Sequence, residues 1–323
     1  MKSLTVKGVS YLYSAGTPFE KEALHNVSVS FTPGKITGII GHTGSGKSTL
    51  LEIISGLQKP DKGEVLLDGE SLYTNPTAEA LEDMKKQGHT LPKWMYRLFL
   101  RKKWNATLQK RIDEQKARRF SIGLVMQYPE YQLFDETVLG DICYGPKNMG
   151  KNEEAAKKAA TQAAMTVGLH PILFDKSPFE ISGGEKRRTA IAGVLAMEPD
   201  ILILDEPAAG LDPIGRKTVF EGISKYNKSK GATVILVSHS MEDLAKYCDD
   251  VVVMYQGKVV KTGTVEDIFT DAEELSKYSL DVPQISLIAR QMIESGIPLS
   301  GNLWTVDGVE KALLDYLKGG DRK

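Results

Sequence analysis

The chain has 323 residues, 41% hydrophobic and 26% charged, which suffices for one large core with an appendage or for two domains. Its net charge of −1 argues, on whole-chain electrostatics, for neither a nucleic-acid binder nor a membrane-surface protein. The opening MKSLTVKGVS lacks the apolar stretch of a signal peptide, and no apolar run approaches the ~20 residues of a membrane span, so any membrane role is expected to run through a partner.

In chain order, Val27 to Phe31 alternates apolar and small polar residues, as a half-buried strand does. Pro33-Gly34 marks a turn, and Ile36 to Ile40 is a short apolar run that ends at a glycine-rich loop. From Ser48 through Leu57 the pattern is helical. Ile122–Val125 reads as a strand. Ile201 to Leu204 and Val234 to Val237 are continuous apolar runs, the mark of strands buried on both faces of a parallel sheet. Helical stretches fall near Lys186–Met197 and Gly215–Tyr226. The alternation predicts an α/β domain with a largely parallel sheet. The two cysteines, Cys143 and Cys248, lie in no C-x-x-C pair and near no histidine at metal-ligand spacing; they are expected to be reduced core thiols.

Gly41-His42-Thr43-Gly44-Ser45-Gly46-Lys47-Ser48 fits G-x-x-x-x-G-K-[ST] in full. Its glycines let successive backbone N–H groups turn inward as an anion-binding nest, and the following helix, through Thr49, offers its positive end to phosphate. Lys47 is expected to reach the β and γ phosphates of ATP, and the Ser48 hydroxyl to ligate Mg²⁺. A chance glycine-rich turn is the plainer alternative, and the strand before and helix after argue against it.

Ile201–Leu204 delivers Asp205 and Glu206 at a strand end, where an open α/β sheet places its ligands. Asp205 is expected to hold Mg²⁺ through water, and Glu206 to act as general base toward the attacking water. Alone, such a pair is as readily a strand cap; with the phosphate loop it is a catalytic pair. Ser182-Gly183-Gly184, ahead of a helix, would make a second phosphate-binding helix start, or simply an N-cap. One chain has one phosphate loop, so a second γ-phosphate site points to a partner's ATP.

Here the sequence resembles the ATP-binding subunits of ABC transporters, over nearly its whole length. Ile181–Glu185 matches their signature loop, Ala209-Gly210-Leu211-Asp212 the D-loop, His239 the switch histidine, Gln127 the Q-loop glutamine and Tyr13 the aromatic residue that stacks on adenine. Singly, Tyr13 is also compatible with an ordinary strand aromatic, and Gln127 and His239 with polar loop residues. The resemblance implies a parallel-sheet RecA-like core, an antiparallel β subdomain and an α-helical signature subdomain within residues 1–280. It also implies a head-to-tail dimer, each ATP lying between one subunit's Gly41–Ser48 loop and the partner's Ser182, Gly183, Gly184, Glu185 and Asp212. His239 would hold the γ-phosphate and order the water, and Gln127 would contact Mg²⁺ or water and report to a membrane partner.

Tyr128–Phe134, Tyr144–Asn148 and Ile191–Met197 look like one branch, the ATPases of energy-coupling factor importers of vitamins and metal ions, and Gly41-His42-Thr43-Gly44 and Ile191–Met197 look most like the second of its two paired ATPase types. That resemblance implies a peripheral protein at the cytoplasmic face of the cell membrane. Its expected partners are a second ATPase, either a paralogue or a copy of itself, a transmembrane coupling protein that meets Tyr131, Leu133 and Phe134, and a membrane substrate-binding protein. No nucleic acid is expected. Glu185 stands where Gln is usual, Ile181 where Leu is, and Ala208 where Thr or Ser is common, which leaves open whether this signature loop serves the more active site. A soluble DNA-repair or ribosome-associated ATPase of the same family, or the ATPase of another importer or exporter, is the alternative; the former usually carries long coiled-coil inserts or two ATPase domains in one chain, and neither pattern is present.

Two segments stand outside the strand–helix rhythm. From about 75 to 119 the chain is basic, with Leu91, Trp94, Met95, Leu98 and Phe99 on one helical face and Trp104, Leu108 and Ile112 continuing the spacing. It reads as a solvated hairpin packed on its own domain or as a surface that approaches lipid or the coupling protein. Residues 281–323 read as a small helical appendage, with Ile285, Ile288, Met292 and Ile293 on one helix and Leu313, Leu314 and Leu317 on another. Dimer contact, implied by the resemblance, and self-docking are its two readings.

Overall fold

The computed structural model describes residues 1–73 and 105–320. Two sheets carry the chain. The first is antiparallel, in the order β2 (Lys21–Phe31), β1 (Leu4–Tyr13), β4 (Lys62–Leu67), β5 (Glu70–Ser71). The second has six strands in the order β10 (Lys258–Thr264), β9 (Asp250–Tyr255), β3 (Ile36–Ile40), β8 (Thr233–Val237), β7 (Ile201–Asp205), β6 (Ile122–Val125). All its pairs are parallel except β9–β10. The mixed α/β architecture expected from the alternation of elements is present, with the antiparallel sheet as the additional layer.

Period-two alternation explains why the central strands read as unbroken apolar runs. Leu202 and Leu204 of β7 and Val234 and Leu236 of β8 enter one core, while Ile201, Ile203, Ile235 and Val237 enter the other. The second core is closed by α1 (Lys47–Ile54) and the antiparallel sheet, through Leu4, Val6, Leu24, Leu50 and Ile53. Burial of such side chains is worth about 1.5–3 kcal/mol each, so the two faces together hold the sheet rigid behind the site. Gly38 of β3 permits close packing: a Cβ there would lie 2.9 Å from Leu244 Cδ2 and 3.1 Å from Cys248 Sγ, so both side chains would have to shift.

Between β6 and β7 the chain makes a helical layer of α3 (Val138–Asn148), α4 (Glu153–Thr166) and α5 (Gly183–Leu195), with α2 (Asn105–Phe120) preceding β6. The helix α4 presents Ala156, Ala160, Ala163 and Ala164 inward, at the spacing of one face, which lets it pack closely. Thr137, Asn152 and Ser182 cap the three helices of the layer. After β7 come α6 (Pro213–Lys230), α7 (Met241–Tyr247), α8 (Val265–Phe269) and α9 (Ala272–Ser276).

The C-terminal helices α10 (Gln284–Glu294) and α11 (Val306–Gly320) share a small cluster of Ala289, Leu299 and Val309. Ile288, Leu314 and Leu317 remain exposed on their outer surface. Cys143 is buried and Cys248 partly so; both are free thiols, and burial pushes each above the usual range, as inert packing residues require.

Of the basic segment at about 75–119, the residues Leu91, Lys93, Trp94, Met95, Arg97, Leu98, Phe99, Arg101, Lys102, Lys103 and Trp104 lie outside the described residues, as does the side chain of Leu108. In its described part, Arg118 pairs with Glu70 at 2.6 Å and Lys110 with Glu114 at 3.8 Å. The carboxylates that face these cations therefore include Glu70, beyond the acids of the segment itself. Among the described residues no helix is long and apolar enough to cross a membrane.

Candidate ATP-binding and hydrolysis site

Strand register builds the site. Ile39 of β3 and Asp205 of β7 both pair with Val237 of β8, and Val125 of β6 pairs with Leu204. The residues just past these strands are Gly41–Ser48, Glu206, His239 and Gln127, so four distant segments of sequence open onto one row at the carboxyl edge of the sheet. Between them lies a cleft of about 290 Å³.

Thr43, Gly44, Gly46, Lys47, Ser48 and Thr49 line the cleft. Gly44 (φ 82°) and Gly46 (φ 98°) hold the left-handed backbone that turns the loop. At Gly46 a Cβ would also come within 2.7 Å of the Ala23 carbonyl. Gly41, His42 and Ser45 shape the loop from behind instead of lining the cleft. Lys47 Nζ donates to the Gly41 and His42 carbonyls at 2.6 and 3.1 Å, and the His42 ring packs edge-on against Tyr255 at 5.2 Å. Ser45 Oγ is buried without a hydrogen-bond partner. Burial holds the Lys47 ammonium below its ordinary pKa, against the pull of Asp205 and Glu206.

Asp205 closes β7 with Oδ2 3.5 Å from Ser48 Oγ. Burial raises its carboxyl pKa, opposed by the nearby Lys47 cation. Glu206 takes a left-handed backbone (φ 52°), which costs a non-glycine residue and is held here by its N–H bonding the Val237 carbonyl at 3.0 Å. That turn directs its carboxylate into the cleft, where Oε1 is buried and has no hydrogen-bond partner. His239 Nε2 is its nearest cation-capable neighbour, at 3.7 Å. Burial, reinforced by the Asp205 charge, pushes the Glu206 carboxyl up to about 7. A carboxylate poised near neutrality, underpartnered and beside a phosphate loop has the properties of a general base.

Gln127 and Tyr13 line the same cleft. Tyr13 ends β1 half-exposed, its hydroxyl 3.2 Å from Thr49 Oγ1 and its ring edge-on to Tyr11. Lys21, Ala23 and Val237 line the cleft as well and were not singled out from sequence. Lys21 arrives because it is the register partner of Tyr13 in the β1–β2 pair, and no motif signals that pairing.

The segments expected to act in trans do not line this cleft. Ser182 caps α5: its hydroxyl donates to Glu185 Oε2 at 2.7 Å, its N–H to the same oxygen at 2.8 Å, and it accepts from Glu185 N–H at 3.3 Å. These bonds from Ser182 hold the Glu185 carboxyl below its usual range. Asp212 caps α6 through Gly215 N–H at 2.6 Å. The three coupling candidates separate. Tyr131 is 84% and Phe134 58% exposed, but Leu133, with only 9% exposed, cannot offer a contact surface, because the chain turns to extended backbone there after the 3₁₀ turn Pro129–Gln132 and drives its side chain inward.

Fold and site together define a phosphate-loop ATPase of the ATP-binding cassette type. The ABC transporter family model matches residues 24–209. The energy-coupling factor transporter ATP-binding protein EcfA2 of Caldanaerobacter subterraneus subsp. tengcongensis is 41% identical over 98% of both chains. Its counterpart in Bacillus thuringiensis (strain Al Hakam) is 46% identical over 98% of this chain and 97% of the other. Among solved structures, cbiO1 from Clostridium perfringens, described as part of the ABC transporter complex cbiONQ, aligns with TM-score 0.65 and 32% identity over 90% of this chain and 98% of that one. An ATP-binding cassette dimer in a post-hydrolysis state, bound to ADP and Pi, aligns with TM-score 0.63 and 26% identity over 81% of this chain and 98% of that one. The chain belongs to the ABC transporter family, among the energy-coupling factor transporter ATP-binding proteins. It is an ATP-binding protein and an ATPase.

Proposed function

We propose that this chain is the ATP-hydrolysing subunit of an energy-coupling factor importer of vitamins or metal ions, acting at the cytoplasmic face of the cell membrane as one half of a head-to-tail ATPase pair. The observation that carries the chemistry is Glu206, whose buried, unpartnered Oε1 faces the cleft with a carboxyl pKa near neutrality. The carboxylate accepts a proton from the attacking water, and His239 orients that water and the γ-phosphate from the far side. Lys47 and the loop N–H groups carry the charge of the phosphates. Tyr13 packs against the adenine at the mouth.

Mg²⁺ fits the residues present. Ser48 Oγ and Asp205 Oδ2 are close enough to face one small hard cation, directly or through its water, and the burial that raises the Asp205 carboxyl pKa is a cost that a cation would relieve. Ser48 and Asp205, with Gln127 at the cleft, would hold it. When bound, it supplies charge neutralisation to the phosphate oxygens.

A partner ATPase, a paralogue or a second copy, supplies its own Ser182–Glu185 and Asp212 counterparts across the ATP. Tyr131 and Phe134 give the exposed aromatic surface suited to a transmembrane coupling protein, and a membrane substrate-binding protein completes the assembly. Gln284, Arg290 and Trp304 tie the appendage to its own domain, and the exposed Ile288, Leu314 and Leu317 leave an apolar edge suited to dimer contact as well. Affinity purification from membranes, followed by reconstitution in vesicles, tests the reading: the chain is expected to bring membrane subunits with it and to drive uptake only with ATP. Recovery as a free ATPase with no membrane subunit would overturn it.

A further inference from the structure

Among the described residues the buried charged side chains are Lys47, Asp205 and Arg187. The first two belong to the phosphate site. Arg187 does not, and burying a charge is costly unless something requires it.

Arg187 lies on α5, five positions after Ser182. Its guanidinium grips Glu130 in a two-pronged pair, Nε to Oε2 at 3.1 Å and Nη2 to Oε1 at 3.3 Å. Its side chain is 4% exposed and that of Glu130 20%. The guanidinium carbon also sits 5.8 Å from the centroid of the Tyr128 ring. Glu130 lies three residues after Gln127 and one before Tyr131, in a loop whose neighbours are largely exposed. Tyr128 in that loop holds a left-handed backbone at φ 57°. A bidentate Arg–carboxylate fork fixes orientation as well as distance. Buried pairs of this kind are often replaceable by apolar residues without loss of stability, so stability alone does not account for it.

We propose that Arg187 is a positioning residue that locks the signature helix to the segment carrying Gln127, Tyr131 and Phe134, so that displacement of Ser182–Gly184 against a partner's nucleotide moves the aromatic surface as one body. This rests on the reading of Ser182–Gly184 as a phosphate-facing loop in a two-ATPase importer. The pair joins the element that senses the partner's ATP to the element that meets the membrane, and it does so away from the chain's own phosphate loop.

The test is made on the complete reconstituted complex, reading substrate taken up per ATP hydrolysed, alongside binding of a fluorescent ATP analogue. For Arg187→Met, uptake per ATP is expected to fall about tenfold, as misplacement of a catalytic or coupling surface does, while analogue affinity stays within about twofold. The double variant Arg187→Met/Glu130→Met, which strands no charge, is expected to lose about as much as the single one, because the two residues act through each other. Wild-type uptake per ATP in either folded variant overturns the proposal, as does a clearly larger loss in the double variant than in Arg187→Met. If Arg187→Met does not fold, the double variant alone decides by the same ratio. Absence of ATP-driven uptake in the wild-type complex would instead overturn the functional reading beneath it.

Discussion

His239 Nε2 stands 3.7 Å from Glu206 Oε1, beyond hydrogen-bond distance yet aimed at the same buried oxygen. The two side chains come from the ends of adjacent parallel strands, and the cleft that both line is where a water would be held. Glu206→Gln is therefore expected to cut steady-state phosphate release by at least ~100-fold while leaving ATP binding intact and accumulating an ATP-bound dimer. Phosphate release and gel filtration with ATP check this; retained turnover rejects Glu206 as the base.

The raised Glu206 pKa gives two pH signatures. As a base it must be ionised, so kcat/KM is expected to rise through about pH 7. For stability the sign is opposite. The folded carboxyl holds its proton up to about 7 whereas the unfolded one releases it near 4.5, so the native state binds more protons in that window and stability falls as pH rises through it. Glu206→Gln removes the penalty and is expected to be more stable than wild type by roughly 3 kcal/mol above pH 7 and equal to it below pH 4.5. Denaturant melts of the ligand-free chain across that range measure the difference.

Lys47→Ala removes the one buried ammonium in the cleft, which also opposes the charges of Asp205 and Glu206. ATP affinity is expected to fall about 10- to 100-fold, the worth of one or two hydrogen bonds to charged phosphate oxygens. Calorimetric titration with ATP reads this directly, and undiminished affinity would remove Lys47 from the binding set.

Glu185 places a carboxylate at the start of the signature helix and engages the Ser182 hydroxyl proton. Glu185→Gln can keep the reciprocal cap, so the melting curve is expected to move by less than ~0.5 kcal/mol. Hydrolysis by the assembled ATPase pair is expected to rise a few-fold (about twofold to fivefold), since a negative charge near an incoming phosphate is removed. An unchanged or lower rate would show that the carboxylate does not attenuate the site.

Leu133 and its exposed neighbours are separable. Leu133→Ala is expected to destabilise the chain by about 2–4 kcal/mol through loss of core packing. Tyr131→Ser/Phe134→Ser is expected to cost no more than about 1.5 kcal/mol, the worth of the Phe134–Tyr144 ring pair, but to prevent recovery with membrane subunits. Urea melts and membrane co-purification distinguish the two.

The phosphate loop and the central strands were legible in sequence because their determinants are local. Glycines at Gly44 and Gly46 set the loop's backbone, and Ile201–Leu204 is apolar throughout, with Ile36–Ile40 nearly so, because both faces of the sheet are covered. Helix extents were less legible. The helix α5 begins at Gly183, ahead of the apolar pattern, because the Ser182–Glu185 cap sets its start. The inward turn of Leu133 left no trace in the pattern, since one apolar residue among aromatics looks the same on either face.

By itself the sequence determined which residues to expect at the site: Lys47, Ser48, Asp205 and Glu206 sit in short segments whose composition and order point to a role, and Gln127 and His239 follow from the resemblance to the family. Only the tertiary structure decided how they meet. Register pairing of β3, β8, β7 and β6 gathers the strand ends into one row, a left-handed turn aims Glu206, and Arg187 is joined to Glu130 across 57 residues of chain. Such pairings depend on packing between elements far apart in sequence, so no local pattern encodes them.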